Sequence, residues 1–354
     1  MSNRASKRIL GILNCLIPLI LAFSVGAIVI LFVKENPLEV YGILIKQSLL
    51  KSSGFANTLH YASPLILTGL AIAVAFKANI YNMGVEGSLI LGGFITAIVG
   101  SSLPDAYPIG SKIICISIGA LAGIAYALVI AFLKVRFRAN EMVVSMMLNY
   151  ALAKFLEYLT CGPFKDIQTA YVTTKQVTVA SMFKRLFQKP RLTRCFFAAV
   201  IILIIMYILM KKTKLGYAID AMGKNYAFTE AIGIDISKMI YLIMIISGAL
   251  GGIAGSGWCL ADQYRYTLDF SKNPGLGWDG MLIALLGGHD PIGILVAAIF
   301  YAALKTGSDK INMYSNVPKE IIAMIQALII LFLAVKFVND QTGFLAKIRK
   351  QKSI

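Results

Sequence analysis

From near its start to near its end the chain is cut into apolar stretches of about 20 residues separated by short polar turns. As helix, a stretch of that length crosses a hydrocarbon layer of about 30 Å. So many of them make lipid the main solvent. Only 14 % of the 354 residues are charged, against roughly a quarter in soluble domains, and 58 % are hydrophobic. The pattern predicts an all-α, polytopic integral membrane protein of about ten transmembrane helices, over 9–33, 59–76, 80–100, 112–133, 141–160, 195–210, 239–258, 277–288, 291–304 and 321–338. Two of these segments, 277–288 and 291–304, are short for a crossing. The first follows Arg4, Lys7 and Arg8, exceeds the roughly 7–15 apolar residues of a signal peptide and lacks a small-residue cleavage site, so it reads as a retained helix.

A net charge of +17 invites comparison with nucleic-acid binders, but the bases lie at the ends of apolar segments and not along one polar face. No nucleic-acid partner is expected. Basic clusters mark the ends predicted to lie inside: Arg4, Lys7 and Arg8; Lys134, Arg136 and Arg138; Lys211, Lys212 and Lys214; Lys347, Arg349, Lys350 and Lys352. Both termini then come out cytoplasmic, with 341–354 a basic cytoplasmic tail. Residues 161–194 become an external loop, although they carry Lys165, Lys175, Lys184, Arg185, Lys189, Arg191 and Arg194. Because the orientation bias is statistical, a solvated external loop is the expectation there.

Little in the chain suggests bond-making chemistry. Cys15, Cys115, Cys161, Cys195 and Cys259 lack metal-ligand spacing and read as packing residues. His60 and His289 each stand apart from cysteines and clustered carboxylates, which supports neither a metal site nor a hydrolytic triad. Gly223-Lys224 lacks the glycine spacing and the following Ser/Thr of a P-loop, so any ATPase must be a separate subunit. No catalytic residue, metal or cofactor is expected on this chain.

The sequence repeats itself in order. Gly84-Val85-Glu86-Gly87 is matched by Gly277-Trp278-Asp279-Gly280, Gly92-Gly93 by Gly287-Gly288, Pro108-Ile109-Gly110 by Pro291-Ile292-Gly293, and Glu141 by Glu320. The predicted sidedness of the two sets is opposite, as an inverted repeat of five helices per half requires. The halves would span about 1–160 and 195–340.

Gly, Asn and an acid inside apolar runs mark backbone that survives at membrane depth only where protein or a water-filled cavity satisfies it. Asn79, Asn82, Gly84, Glu86 and Gly87 fit that description. Glu86 and Asp279, at related places in the two halves, are candidates either for acids facing a pathway or for carboxylates that bond a neighbouring broken backbone. Asn149 and Glu157, eight residues apart, lie near one helix face; Asn149 suits interhelical hydrogen bonding or substrate contact equally. Gly119 and Gly123, with Gly248, Gly251, Gly252 and Gly255, have the spacing of close helix packing. Residues 216–234, within a loop over 211–238, are amphipathic and form a short surface helix; its small residues suit docking to another protein.

That loop also carries a resemblance. Gly216-Tyr217-Ala218-Ile219-Asp220-Ala221-Met222-Gly223-Lys224-Asn225, then Ala231-Ile232-Gly233-Ile234 and Ser247-Gly248-Ala249-Leu250-Gly251-Gly252, resemble the cytoplasmic loop and next helix of ABC importer permeases of the nucleoside and simple-sugar (branched-chain-type) family. Asn82-Met83-Gly84-Val85-Glu86-Gly87, Ala139-Asn140-Glu141-Met142-Val143 and Met147-Leu148-Asn149-Tyr150 are similar to the nucleoside subgroup, which works with basic membrane protein-type binding lipoproteins. Further matches at 284–293 and 317–328 extend the likeness over about 60–335, with Tyr81, Ser88 and Trp278 as departures.

The resemblance implies a permease in the bacterial cytoplasmic membrane, paired with a second permease subunit. It also implies ATPase subunits that carry ATP and Mg²⁺ and grip the surface helix at Gly216, Ala221, Gly223, Asn225, Ala231 and Gly233. An extracytoplasmic binding lipoprotein would deliver a nucleoside. Phe76, Asn79, Tyr81, Asn82, Glu86, Asn149, Trp278 and Asp279 are the expected path residues, since an aromatic can stack on a base and an Asn can pair with its edge. A simple-sugar cargo, an ion-coupled secondary transporter and a purely structural subunit are the rival readings.

Overall fold

The computed structural model describes residues 20–314 except 22, 33, 185–191 and 273, together with 324, 327 and 328. The predicted span at 321–338 and much of that at 9–33 lie outside the described residues, as do Arg4, Lys7, Arg8, Glu320 and the tail 341–354. Among the described residues every regular element is helical, and an isolated antiparallel bridge joins Thr173 and Thr267. The α-helices are α1 (Phe23–Phe32), α2 (Pro37–Ile45), α3 (Ser52–Lys77), α4 (Val85–Ser102), α5 (Pro108–Phe137), α6 (Glu141–Cys161) and α7 (Cys195–Lys212). They continue with α8 (Lys214–Lys224), α9 (Tyr226–Ala231), α10 (Ile236–Trp258), α11 (Leu268–Ser271), α12 (Leu276–Leu286) and α13 (Pro291–Tyr314). Lys46–Leu50 and Cys259–Gln263 are π-helical turns.

Six helices, α3, α4, α5, α7, α10 and α13, are long and apolar enough to cross a membrane, and α1 and α12 are apolar but shorter. The chain is therefore a polytopic helical membrane protein. The described residues hold six clear spans where the sequence predicts about ten, because α6 is more polar, α12 is short and the two terminal segments lie mostly outside. Boundaries also move. The helix expected over 59–76 begins at Ser52, that over 80–100 only at Val85, and that over 291–304 runs on to Tyr314. Caps account for several ends. The Asn140 side chain accepts the amides of Met142 and Val143 at the start of α6, and Asp235 accepts that of Lys238 at the start of α10. The helix α2 was not anticipated, since Glu35, Glu39, Lys46 and Gln47 interrupt the apolar pattern there.

The chain divides into two compact units, 1–55 with 303–354, and 56–302. In the first, the Tyr41 hydroxyl donates to the Phe23 carbonyl at 2.8 Å with the two rings edge to face at 5.1 Å, and Gly307 lies against Leu44. Of the six long apolar helices α3 is the most covered. Within their most apolar windows 83 % of α3 is covered by protein, against 33 % of α5 and 28 % of α7, which leaves broad apolar faces on the last two for lipid. Pro64 inside α3 cannot donate to the His60 carbonyl; the Ser63 hydroxyl does so instead at 2.9 Å.

The helices α4, α5 and α10 meet along a seam of small residues. A Cβ on Gly252 would strike the Gly119 carbonyl, one on Gly123 the Gly248 carbonyl, and one on Gly255 the Leu89 carbonyl. Backbones therefore approach as closely as atoms allow, which maximises dispersion where no hydrophobic force separates helix from lipid. Hydroxyls fill the remaining polar valences: Thr96 with Ser256 at 2.8 Å, Ser256 with the Gly252 carbonyl at 2.9 Å, and Ser88 with the Gly123 carbonyl at 3.3 Å.

Gly252→Val is expected to destabilise the purified protein by at least about 1–3 kcal/mol, since the obstacle is backbone and cannot yield. Gly42→Ala, in open space within α2, is expected to be neutral or to stabilise by about 0.5–1 kcal/mol. Thermal unfolding in detergent compares the two; equal effects would contradict the seam.

Candidate functional site

Between α3 and α4 the chain leaves the helix, and the way it does so is written in local chemistry. The Ile80 amide donates to the Ala75 carbonyl and the Asn79 amide to that of Phe76, both at 2.9 Å, with Asn79 in the left-handed region at φ 59°. This is a Schellman ending with Asn in the position Gly usually takes. Asn82 then turns the chain, accepting the Gly84 amide at 2.9 Å and donating to the Ser247 hydroxyl of α10 at 2.9 Å. Asn149 on α6 locks the far side of the break. Its oxygen accepts the Gly87 amide at 3.1 Å and the Tyr126 hydroxyl at 2.7 Å, while its amide group donates to the Met83 carbonyl at 2.8 Å.

Glu86, in the first turn of α4, reaches across to the start of α12. Its two carboxylate oxygens accept the amides of Gly275, at 2.8 Å, and of Gly277. The first amides of a helix have no partner in their own helix, and a carboxylate there also meets the positive end of the helix dipole. Glu86 is only 1 % exposed, so the clasp replaces water completely. Gly277 lies flat against the Glu86 backbone, where any side chain would collide. Asp279, the residue matched to Glu86 by sequence, makes a different contact: it accepts the Tyr301 hydroxyl of α13 at 2.7 Å.

The candidate residues thus fall into two groups. Asn82, Glu86 and Asn149 are buried, with their polar atoms engaged by backbone and neighbouring helices. Phe76, Asn79, Tyr81, Trp278 and Asp279 retain exposure. The Phe76 ring lies 5.2 Å from that of Tyr81 and 5.8 Å from that of His289. Beside them Glu141 accepts the Tyr81 amide at 3.2 Å and pairs with Lys134 at 2.7 Å.

The break is also where α8 and α9 sit. Thr213 caps α8 by accepting the Gly216 amide, and Asn225 caps α9 by accepting that of Phe228. The face of α8 carrying Gly216, Ala218, Ile219, Ala221 and Met222 is buried, and Gly223 rests on the Lys77 carbonyl at the end of α3, in contact that excludes a side chain. The Tyr226 hydroxyl donates to the carbonyls of Ala78 at 3.0 Å and Asn79 at 3.2 Å. On the outer side Ala231 and Gly233 are exposed, together with three large apolar groups, Tyr217, Phe228 and Ile232. Asp220 pairs with Lys224 one turn on at 2.6 Å; the lysine's hydrogen bond holds the carboxyl below its ordinary range and raises the lysine in return.

Sequence reasoning gave no site role to Tyr126, Ser247, Tyr226 or Tyr301, each of which meets a residue it had singled out through its hydroxyl. It also read His60 as isolated. The structure corrects that: Asp262, 202 positions later, places an oxygen 3.2 Å from His60 Nε2, and the ring stacks on Trp258 at 5.7 Å. Nothing in local spacing could have disclosed either. Among the described residues no group of three or more His, Cys, Asp or Glu is placed to hold a metal ion.

Interrupted apolar helices whose broken ends are clasped by buried polar side chains are an arrangement that membrane transport proteins use. The chain belongs to the family described as the permease component of the branched-chain amino acid transport system, whose profile matches residues 54–334. It is similar to the nucleoside ABC transporter permease NupB of Lactococcus lactis subsp. cremoris, 31 % identical over 96 % of this chain and 94 % of that one. The guanosine ABC transporter permease NupP of Bacillus subtilis is 29 % identical over 93 % of this chain and 94 % of its own length. A glucose ABC transporter permease of Haloferax volcanii is 27 % identical over 88 % of this chain and 84 % of its own. No solved structure matches the chain.

Glu86→Ala strands two buried amides at the start of α12, each worth about 1–3 kcal/mol, whereas Glu86→Gln keeps the shape and one acceptor oxygen. Thermal unfolding is expected to rank wild type above Gln and Gln above Ala. Indistinguishable stabilities would remove the clasp from the account.

Proposed function

We propose that the chain is the transmembrane permease subunit of an ATP-driven ABC importer for nucleosides. It forms the translocation path by alternating access together with a second permease subunit, separate ATPase subunits that bind ATP and Mg²⁺, and an extracytoplasmic nucleoside-binding lipoprotein. About ten helices in two inverted halves, 1–160 and 195–340, would rock about the path, with 161–194 as an external loop, 211–238 as the cytoplasmic coupling loop and 341–354 as a cytoplasmic tail, both termini lying inside. The likeness to two permeases named for nucleoside and guanosine transport over nearly their full length supports the cargo. The glucose permease among the relatives keeps a sugar cargo as the second reading.

The observation that carries the mechanism is the seating of α8 and α9 on the 78–84 break through Gly223 and Tyr226. In this reading the ATPase grips the element that carries Gly216, Ala221, Gly223, Asn225, Ala231 and Gly233. Its closure pulls on α8 and α9. Gly223 and Tyr226 hand that displacement to the end of α3 and the start of α4, where Phe76, Asn79, Tyr81, Asn82, Glu86, Asn149, Trp278 and Asp279 line or hold the path. Phe76, Tyr81 and Trp278 would offer ring faces to a base, and the buried Asn82, Glu86 and Asn149 would keep the broken ends in register while the halves move. An ion-coupled carrier has no use for such a surface element.

Uptake of labelled nucleosides into cells carrying the intact system is expected to vanish when ATP is depleted and to persist when ion gradients are collapsed. The reverse pattern would refute an ATP-driven importer, and competition by glucose but not by nucleosides would move the cargo to sugars. Tyr226→Phe, which removes one hydroxyl and little volume, is expected to leave assembly and ATP hydrolysis by the complex near wild type while lowering uptake several-fold. Unchanged transport per ATP hydrolysed would exclude Tyr226 from coupling.

A further inference from the structure

The turn between α12 and α13 is short and internally braced. The Gly288 amide donates to the Leu285 carbonyl at 3.1 Å and the His289 amide to that of Ala284 at 2.9 Å, with Gly288 and His289 in the left-handed region at φ 60° and 59°. A Cβ on Gly293 would strike the Gly287 carbonyl, so the chain on either side of the turn meets backbone to backbone. Asp290 closes the turn: one carboxylate oxygen accepts the Ile292 amide at 3.3 Å, and its backbone carbonyl accepts that of Ile294 at 2.8 Å. Residues 287–294 thus form one braced piece.

Three contacts tie that piece to other elements. The second carboxylate oxygen of Asp290 lies 2.5 Å from Nζ of Lys211, in the last turn of α7 and two positions before Thr213, the residue that caps α8. The His289 ring lies 5.8 Å from that of Phe76, near the end of α3. At its other end α12, eleven residues or about 16 Å long, begins at the amides that Glu86 of α4 accepts. Among the described residues the other ion pairs of the 211–238 segment, Lys224 with Asp220 and Lys238 with Asp235, stay within it, whereas Lys211 reaches out of it.

Two routes therefore run from the surface element to the Glu86 clasp. One passes through Gly223 and Tyr226 to the 78–84 break and the start of α4. The other passes from Lys211 through Asp290 and along α12 to the amides of Gly275 and Gly277. The clasp joins the ends of both, so moving one without the other would pull Glu86 off its donors. We infer that Lys211 and Asp290 are positioning residues that pass the displacement of the 211–238 loop to α12, so that α12 and α4 shift together in each transport cycle. The inference rests on the importer reading above. Lys211 and Asp290 are 43 % and 34 % exposed, so the pair can part and re-form without stranding a buried charge, as a moving contact must.

The test uses the assembled importer with its binding protein in liposomes, where uptake of labelled guanosine, adenosine and cytidine is measured together with ATP hydrolysis. Lys211→Gln is expected to lower uptake per ATP hydrolysed by about two- to fivefold, the range of a half-exposed pair. Asp290→Asn, which keeps an oxygen for the Ile292 amide, is expected to do the same. The double variant should fall no lower than either single one, because both act through one contact, and Lys211→Arg should stay near wild type. Elution profile and thermal unfolding are expected to match wild type throughout. An unchanged ratio in both single variants would overturn the proposal, as would losses that multiply in the double variant. Absence of ATP-driven uptake by the wild type would refute the importer and the coupling role with it, whereas ATP-driven uptake with unchanged ratios would refute the coupling role alone.

Discussion

A helix that starts or stops where neighbouring helices bury it leaves amides that water cannot reach, and each must find a partner within the protein. Much of the second unit is arranged around that demand. The start of α12 ends its need on the carboxylate of Glu86, while Asn82 and Asn149 bond the backbone around the start of α4. Glu86 and Asn149 reach these ends from other elements, so the fold holds them, while Asn82 adds a bond within its own turn. Removing one acceptor strands donors on another helix, so the penalty of a substitution appears far from the substituted residue.

The seam of α4, α5 and α10 makes such fine placement possible. Hydrogen bonds of 2.7–3.1 Å from Asn149 to α4 and α5 require backbones that do not drift, and glycines at 119, 123, 248 and 252 let the helices come into direct contact. Rigidity there contrasts with the neighbouring surface, where α8 and α9 meet the break through one glycine contact and one tyrosine hydroxyl.

Much of this was legible in the sequence. Apolar length announced the helices, Asn and Gly within apolar runs announced the break at 79–87, and glycine spacing announced the seam. The surface helix at 216–234 showed itself by polarity and small residues, though the structure divides it at Asn225 into α8 and α9. Helix ends were less legible, because Ser52–Phe55 is too polar to look like a span and the apolar Ile80, Tyr81 and Met83 hide that α4 begins only at Val85. For Glu86 the sequence left two readings open, a path-facing acid or a clasp on broken backbone, and the contact with Gly275 and Gly277 is what distinguishes a carboxylate so engaged.

By itself the sequence determined the solvent, the helical class and the places where regular structure must fail, because these follow from transfer energies and backbone preferences that act over a few residues. Only the tertiary structure decided which groups answer those failures: Glu86 for a helix 189 positions away, Asn82 for Ser247, Tyr226 for Ala78, and His60 for Asp262. Such pairings depend on the distance between atoms in space. Chain folding sets that distance through the sum of all packing contacts, and no local pattern encodes it.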